Sequence, residues 1–164
     1  MTEKQKASLG WGQIALAGAV VAADRITKIL APGLPADGVT LIPGVIGLRY
    51  AENKGMAFSM LAGKPFLLGI LSLAVIVAAF LILRKKKLAT FPVTALMLML
   101  GGAVGNMLDR FFTGFVPDMI EFLFVRFAIF NVADMALTIG CGLMILSLLF
   151  RKKDWENTDV SEKK

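Results

Sequence analysis

Four long apolar stretches dominate this chain: Trp11–Leu30, Phe66–Leu83, Phe91–Leu108 and about Phe127–Phe150. Each approaches the roughly 17–25 residues that a helix needs to cross the hydrocarbon of a bilayer. Backbone N–H and C=O groups find no water there, so a stretch of this length must bond to itself as a helix. Lys4 and Lys6 precede the first stretch, as they would a signal peptide. It is too long for that role, and no small-residue cleavage site follows cleanly, so a permanent helix is expected. Composition agrees. Hydrophobic residues make up 57% and charged residues 18%, against about 45–50% and a quarter in soluble domains.

Basic residues near helix ends orient a membrane protein. Lys4, Lys6, Arg84, Lys85, Lys86, Lys87, Arg151, Lys152 and Lys153 all fall on one side of a four-span arrangement. Arg49, Lys54, Lys64, Arg110 and Arg126 are scattered over two longer segments on the other. Both termini are therefore expected in the cytoplasm. The net charge of +6 reflects this anchoring plus some attraction to anionic lipid, and no nucleic-acid partner is expected. Residues 1–153 read as one membrane domain and 154–164 as a mobile polar tail. Residues 31–64 form an outer segment with β-branched runs at Val39–Ile42 and Val45–Tyr50, split by Pro43–Gly44, which predicts a small strand pair. Phe111–Arg126 holds Gly114, Pro117, Asp118 and Glu121 and reads as a short re-entrant or interfacial connection. The expected class is an all-α polytopic membrane protein carrying a small outer β-element.

The sequence contains no histidine and one cysteine, Cys141. That excludes a Ser–His or Cys–His nucleophile, a histidine-ligated zinc and a disulfide framework. No metal or cofactor is expected.

Ionisable groups inside a membrane are costly and are functional candidates by default. Here they gather at one depth. Asp24 and Lys28 lie in the outer third of the first span, and Asn106, Asp109 and Arg110 end the third. Asn131 and Asp134 open the fourth. At 1.5 Å per residue all fall within roughly 10 Å of the outer boundary, which describes a polar pocket near that surface. Asp24, Thr27 and Lys28 share a helix face at i, i+3 and i+4, so Asp24 and Lys28 read as an ion pair supporting the site. Asp109 with Arg110 reads as a pair holding a helix end. Gly101 and Gly105 form a G-x-x-x-G that points to close helix packing.

Asp118, Glu121 and Asp134 remain for chemistry, with Glu121 expected at the lipid–water interface. Without histidine, peptide hydrolysis would run on two carboxylates sharing one proton. The ionised member takes a proton from water and the protonated member donates to the carbonyl, then to the leaving amine. Asp134, near a helix start, is expected to be the readily ionised member. Asp118 is expected to hold the proton more often.

Five blocks carry a family resemblance: Asp24-Arg-Ile-Thr27-Lys28, Asn53-Lys-Gly55-Met-Ala57-Phe58, Gly101-Gly102-Ala103-Val-Gly105-Asn106-Met-Leu-Asp109-Arg110, Val116-Pro-Asp118 and Phe130-Asn131-Val-Ala133-Asp134. In order and context they resemble the bacterial lipoprotein signal peptidase family, signal peptidase II. The resemblance implies an intramembrane aspartyl endopeptidase of the bacterial inner membrane. It would cut diacylglyceryl-modified prolipoproteins just before the lipidated cysteine. It assigns Asp118 and Asp134 as the catalytic pair. Asn53, Gly55, Asn106, Arg110 and Asn131 would position substrate, and Asp24, Lys28 and Asp109 would support them. It likens the outer segment to a membrane-lying β-cradle, whose Asn53, Gly55 and Phe58 could close over a bound peptide. Pro117 and Met56 depart from the family pattern. Signal peptides of diacylated prolipoproteins and membrane lipid are the expected partners of a monomer. A small ion-coupled transporter would need polar groups through both leaflets and a repeated half, which are missing. A non-proteolytic lipid-handling transferase is the other alternative, and the Asn131–Asp134 and Val116–Asp118 blocks favour the protease over it.

Overall fold

The computed structural model describes residues 9–55, 61, 63–86 and 88–155. In chain order it contains α1 (Trp11–Leu30), β1 (Val39–Ile42), β2 (Ile46–Asn53), α2 (Pro65–Lys85), α3 (Thr90–Phe112), β3 (Val116–Phe122) and α4 (Val132–Phe150). Local chemistry sets most of these limits. α1 gives way at Ala31–Gly33 to a 3₁₀ turn containing Pro32, which cannot continue an α-helix. Pro65 opens α2, at the position where its missing N–H costs nothing. α4 begins at a cap: Asn131 accepts from the Asp134 N–H at 2.9 Å, and the Asn131 N–H donates back to Asp134 Oδ2 at 3.3 Å. This reciprocal arrangement satisfies two donors that would otherwise be orphaned.

Among the described residues three helices are long and apolar enough to cross a membrane: Pro65–Arg84, Thr90–Phe112 and Val132–Phe150. α1 is equally long but carries Asp24, Arg25 and Lys28. α3 is the central post, packed against α1, α2 and α4. Its glycines make this possible. A Cβ on Gly101 would lie 2.8 Å from the Val20 side chain on α1, and one on Gly102 would strike the Ala133 carbonyl on α4. A Cβ on Gly105 would lie 2.5 Å from Asp24 Oδ2, so both members of the G-x-x-x-G serve close packing against α1, as expected.

At one end of the bundle, Leu88, Val93, Leu96 and Met97 form an apolar cluster with Ala17, Leu83, Met144 and Trp155. The start of α1, the α2–α3 connection and the end of α4 therefore share that end. Trp155 Nε1 donates to the fully buried Ser147 Oγ at 3.0 Å, and the Ala89 N–H donates to the Asp154 carbonyl at 3.3 Å. Asp154 and Trp155, read from sequence as part of the mobile tail, are packed here. Residues 156–164 lie outside the described residues, as do Lys4, Lys6 and Lys87.

The opposite end carries an antiparallel sheet in the order β1-β2-β3. Pro43 and Gly44 turn β1 into β2, with Gly44 at φ +70 and the Val45 N–H bonded to the Ile42 carbonyl at 2.9 Å. That is the backbone a Pro-Gly turn requires. The expected strand pair is present, but the molecule is not all-α in the strict sense. The segment read as a re-entrant connection holds the third strand, β3. Its Asp118 lies opposite Ala51 and its Pro117 opposite Glu52. Pro117 is tolerated because β3 is an edge strand of the sheet. α4 starts at Val132 rather than near Phe127, because Phe130 pairs instead with Ile120 of β3.

Candidate active site

Two carboxylates meet from different structural origins. Asp118 stands on β3 and is 2% exposed. Asp134 occupies the third position of α4. Asn131 joins them: its Nδ2 donates to Asp118 Oδ1 at 2.6 Å, and its backbone N–H reaches Asp134 Oδ2 at 3.3 Å. Asn53 Nδ2 holds the other Asp118 oxygen at 2.9 Å. Asn106 Nδ2 holds Asp134 Oδ1 at 2.7 Å.

The orientation of each amide follows from donors that cannot accept. The Gly55 N–H donates to Asn53 Oδ1 at 2.9 Å, so the NH₂ of Asn53 is turned to Asp118. The Asp134 N–H donates to Asn131 Oδ1 at 2.9 Å, which turns the NH₂ of Asn131 the same way. Three asparagines therefore present N–H groups to two carboxylates. The Asp118 carboxyl nevertheless titrates high, pushed from 3.8 to about 6. Burial is the main cause and the charge of Asp134 the second, only partly offset by Asn53, Asn131 and the Lys28 charge. A group raised this far is half protonated near pH 6, the condition for carrying a proton to a substrate.

Beneath the pair lies a buried ionic cluster. Lys28 Nζ sits 2.8 Å from Asp24 Oδ2 and 2.6 Å from Asp109 Oδ2, and donates to Asn106 Oδ1 at 2.8 Å. The expected Asp24–Lys28 pair is thus present and larger than expected. Asp24 Oδ1 also accepts from the Ala133 N–H at 3.0 Å, tying α1 to the first turn of α4. The expected Asp109–Arg110 pair does not form: neighbouring residues on a helix diverge by about 100°. Asp109 turns to α1, where Arg25 and Lys28 bind it. Arg110 turns the other way, its Nη1 3.4 Å from Ser72 Oγ on α2. Arg25 and Ser72 were missed from sequence. Arg25 stood inside a conspicuous block, while Ser72 in a run of leucines carried no signal.

Arg110, Asn53, Asn106 and Asp134 line a cavity of about 830 Å³. Its remaining wall is largely apolar: Leu68, Leu71 and Val75 from α2, Met135 and Ile139 from α4, and Ile46, Leu48 and Ile120 from the sheet. Of the residues singled out from sequence, all ten (Asp24, Lys28, Asn53, Gly55, Asn106, Asp109, Arg110, Asp118, Asn131, Asp134) belong to this one assembly or its immediate support. Glu121 stands apart, bound through Oε2 to Arg49 Nε at 3.0 Å and Nη2 at 2.8 Å on the sheet. Met56, Ala57 and Phe58 lie outside the described residues.

Residues 16–150 match the family described as signal peptidase (SPase) II. A lipoprotein signal peptidase of Syntrophomonas wolfei is 39% identical over 152 residues, covering 90% of this chain and 97% of that one. One from Brevibacillus brevis is 36% identical over 141 residues, 84% of this chain and 95% of its own. A solved bacterial membrane enzyme, obtained by the in meso method at 2.3 Å, superposes with a TM-score of 0.84 at 31% identity, covering 99% of both chains. With the matched family model spanning most of its length, the chain belongs to the signal peptidase II family.

Proposed function

We propose that this protein is a membrane-embedded aspartic endopeptidase that removes signal peptides from diacylglyceryl-modified prolipoproteins, cutting just before the lipidated cysteine. The observation that carries the mechanism is the Asp118–Asn131–Asp134 bridge beside an apolar cavity. A signal peptide is an apolar helix, and it can enter from lipid between α2 and α4, whose side chains both line the cavity. The two acyl chains keep the scissile bond at the depth of the carboxylates.

Asp134 is the ionised member and takes a proton from the attacking water as its oxygen bonds to the scissile carbonyl carbon. Asp118, half protonated near pH 6 because of its raised pKa, donates to the carbonyl oxygen. The resulting diol collapses as the amide nitrogen receives a proton from Asp134. The C–N bond then breaks and Asp118 recovers its proton. Arg110 offers its guanidinium to substrate carbonyls within the cavity. Asn53 and Asn131 hold Asp118 in place throughout.

The same reading has all four long helices spanning the inner membrane of a bacterium. Both termini are cytoplasmic and the sheet lies at the outer surface as a cradle. The basic side chains of Arg84, Lys86, Arg151, Lys152 and Lys153 at the sheet-distal end support this orientation, and a single chain carries every group the reaction uses. The test is direct. Detergent-purified protein is incubated with a diacylated prolipoprotein and the product followed by its size shift. Cleavage by the native chain, and its loss in Asp118→Asn and Asp134→Asn, is the expected result. Retained cleavage in either variant overturns the assignment.

A further inference from the structure

The three asparagines around the carboxylates are not held alike. Asn53 and Asn131 are oriented by backbone N–H groups, from Gly55 and Asp134. Asn106 is oriented chiefly by a side chain on another helix, Lys28, at 2.8 Å, with a longer contact from Asn131 Nδ2 at 3.3 Å. An ammonium has three donors and no acceptor. Whichever end of the Asn106 amide faces Lys28 must therefore be the oxygen, and the NH₂ end is left for Asp134 at 2.7 Å. Lys28 itself is 4% exposed and clamped between Asp24 and Asp109. It does not line the cavity.

We infer that Lys28 is a positioning residue for the reaction: it locks the Asn106 amide so that Asp134 always receives a donor from α3. The inference rests on the reading of Asp118 and Asp134 as the reacting pair. Without the lock, Asn106 can rotate its oxygen toward Asp134. Two acceptors would then face each other among buried side chains, and the water-activating carboxylate would lose its place. The positive charge acts in the same sense. The groups facing Asp118 are Asp134 from α4, Arg110 from α3 and Lys28 from α1, with the neutral Asn53 and Asn131 completing the ring. Behind Lys28 lie Asp24, Arg25 and Asp109. The Arg49–Glu121 pair sits on the same sheet as Asp118. Removing Lys28 leaves this surrounding more negative, so proton release from the carboxylates moves to higher pH.

The experiment compares Lys28→Met with Asn106→Asp in the prolipoprotein cleavage assay, with kcat, KM and the pH dependence of kcat measured for each. Lys28→Met should lower kcat about tenfold or more, the scale on which groups that orient reacting side chains act. KM should stay within about twofold, and the acidic limb of the profile should move upward by roughly half a unit or more. Asn106→Asp keeps a partner for Lys28 and preserves the fold, but puts an oxygen where the donor was. Its kcat should fall on the order of 100-fold, as when a single preorganised donor is removed from an active site. If Lys28→Met does not fold, the charge-balanced pair Asp24→Asn with Lys28→Met replaces it, since the amide oxygen introduced on α1 can still accept from the Ala133 N–H; this pair removes one charge of each sign, so its test is the fall in kcat with KM held within about twofold. Should neither fold, Asn106→Asp decides. A folded Lys28 variant with native kcat and an unmoved limb, or an Asn106→Asp enzyme of native kcat, overturns the proposal. Asp118→Asn and Asp134→Asn run alongside. If either of these cleaves, the dyad reading falls and the lock with it; if both are inactive while the Lys28 variant is native-like, only the lock falls.

Discussion

Replacing Asp118 by Asn should make the protein more stable near neutral pH and less stable in acid, while removing its activity. Burial and the charge of Asp134 raise the Asp118 carboxyl from 3.8 to about 6. A carboxyl with a higher pKa in the folded chain than in the unfolded one holds its proton more firmly when folded. Between the two values the folded state carries more protons, so stability declines as pH rises from about 4 to about 6 and stays reduced above that. A shift of about two units corresponds to about 3 kcal/mol, and with Asp118 only 2% exposed, solvent screening takes little of it away. An amide never ionises and escapes that loss. It has a cost of its own, because both carboxylate oxygens accept N–H donors, from Asn131 and Asn53. An Asn offers one oxygen, so one NH₂ would face another, forfeiting about 1–2 kcal/mol. The variant should therefore be more stable by about 1–2 kcal/mol at neutral pH and less stable by a similar amount near pH 4. Thermal midpoints of both proteins, followed in one detergent from about pH 4 to pH 8, should cross. Parallel curves would refute the raised carboxyl and with it the proton-carrying role.

Three further outcomes follow from the geometry. Gly102→Ala places a methyl against the Ala133 carbonyl and 2.8 Å from Leu137 Cγ. It should cost about 1–3 kcal/mol by overpacking and lower kcat by displacing the first turn of α4, both read from melting and cleavage assays on one preparation. Trp155→Phe removes the Nε1 donor that satisfies the buried Ser147 Oγ. The thermal midpoint should drop by the equivalent of about 1–2 kcal/mol with cleavage unchanged, since that end of the bundle is remote from the carboxylates. Asp24→Ala strips the Ala133 N–H of its acceptor and Lys28 of one counter-ion. A stability loss of about 3–5 kcal/mol and a partial, not complete, loss of cleavage are expected.

Much of this site can be read from the chain alone because hydrocarbon makes polar residues conspicuous. Asp24, Lys28, Asn106, Asp109, Asn131 and Asp134 stood out against apolar helices, and their spacing already put Asp24 and Lys28 on one face. β3 was harder. Asp118 and Glu121 fall on opposite parities and Pro117 breaks the run, so no alternation marks a strand; pairing with β2 and Phe130 decides it. The start of α4 was legible in principle, since Asn131 followed three residues later by Asp134 is a capping signature. The apolar run from Phe127 masked it. The partner of Asp109 could not be read, because Arg25 reaches it across two helices, and helical spacing describes only neighbours on one. Trp155 was lost for a related reason: among charged residues a single aromatic looks like tail, and its binding site is a buried serine on α4.

Asp24 and Lys28 are the only fully buried residues of α1, and both are charged. That helix is moored to its neighbours largely by ions and glycine contacts instead of an apolar stripe. Hydrocarbon suits such a mooring, because nothing in it competes for the charges. Small, water-permeable micelles do compete. Extraction in short-chain amphiphiles should loosen α1 before any other helix, and preparations held in thick lipid discs should keep their first helix and their turnover together.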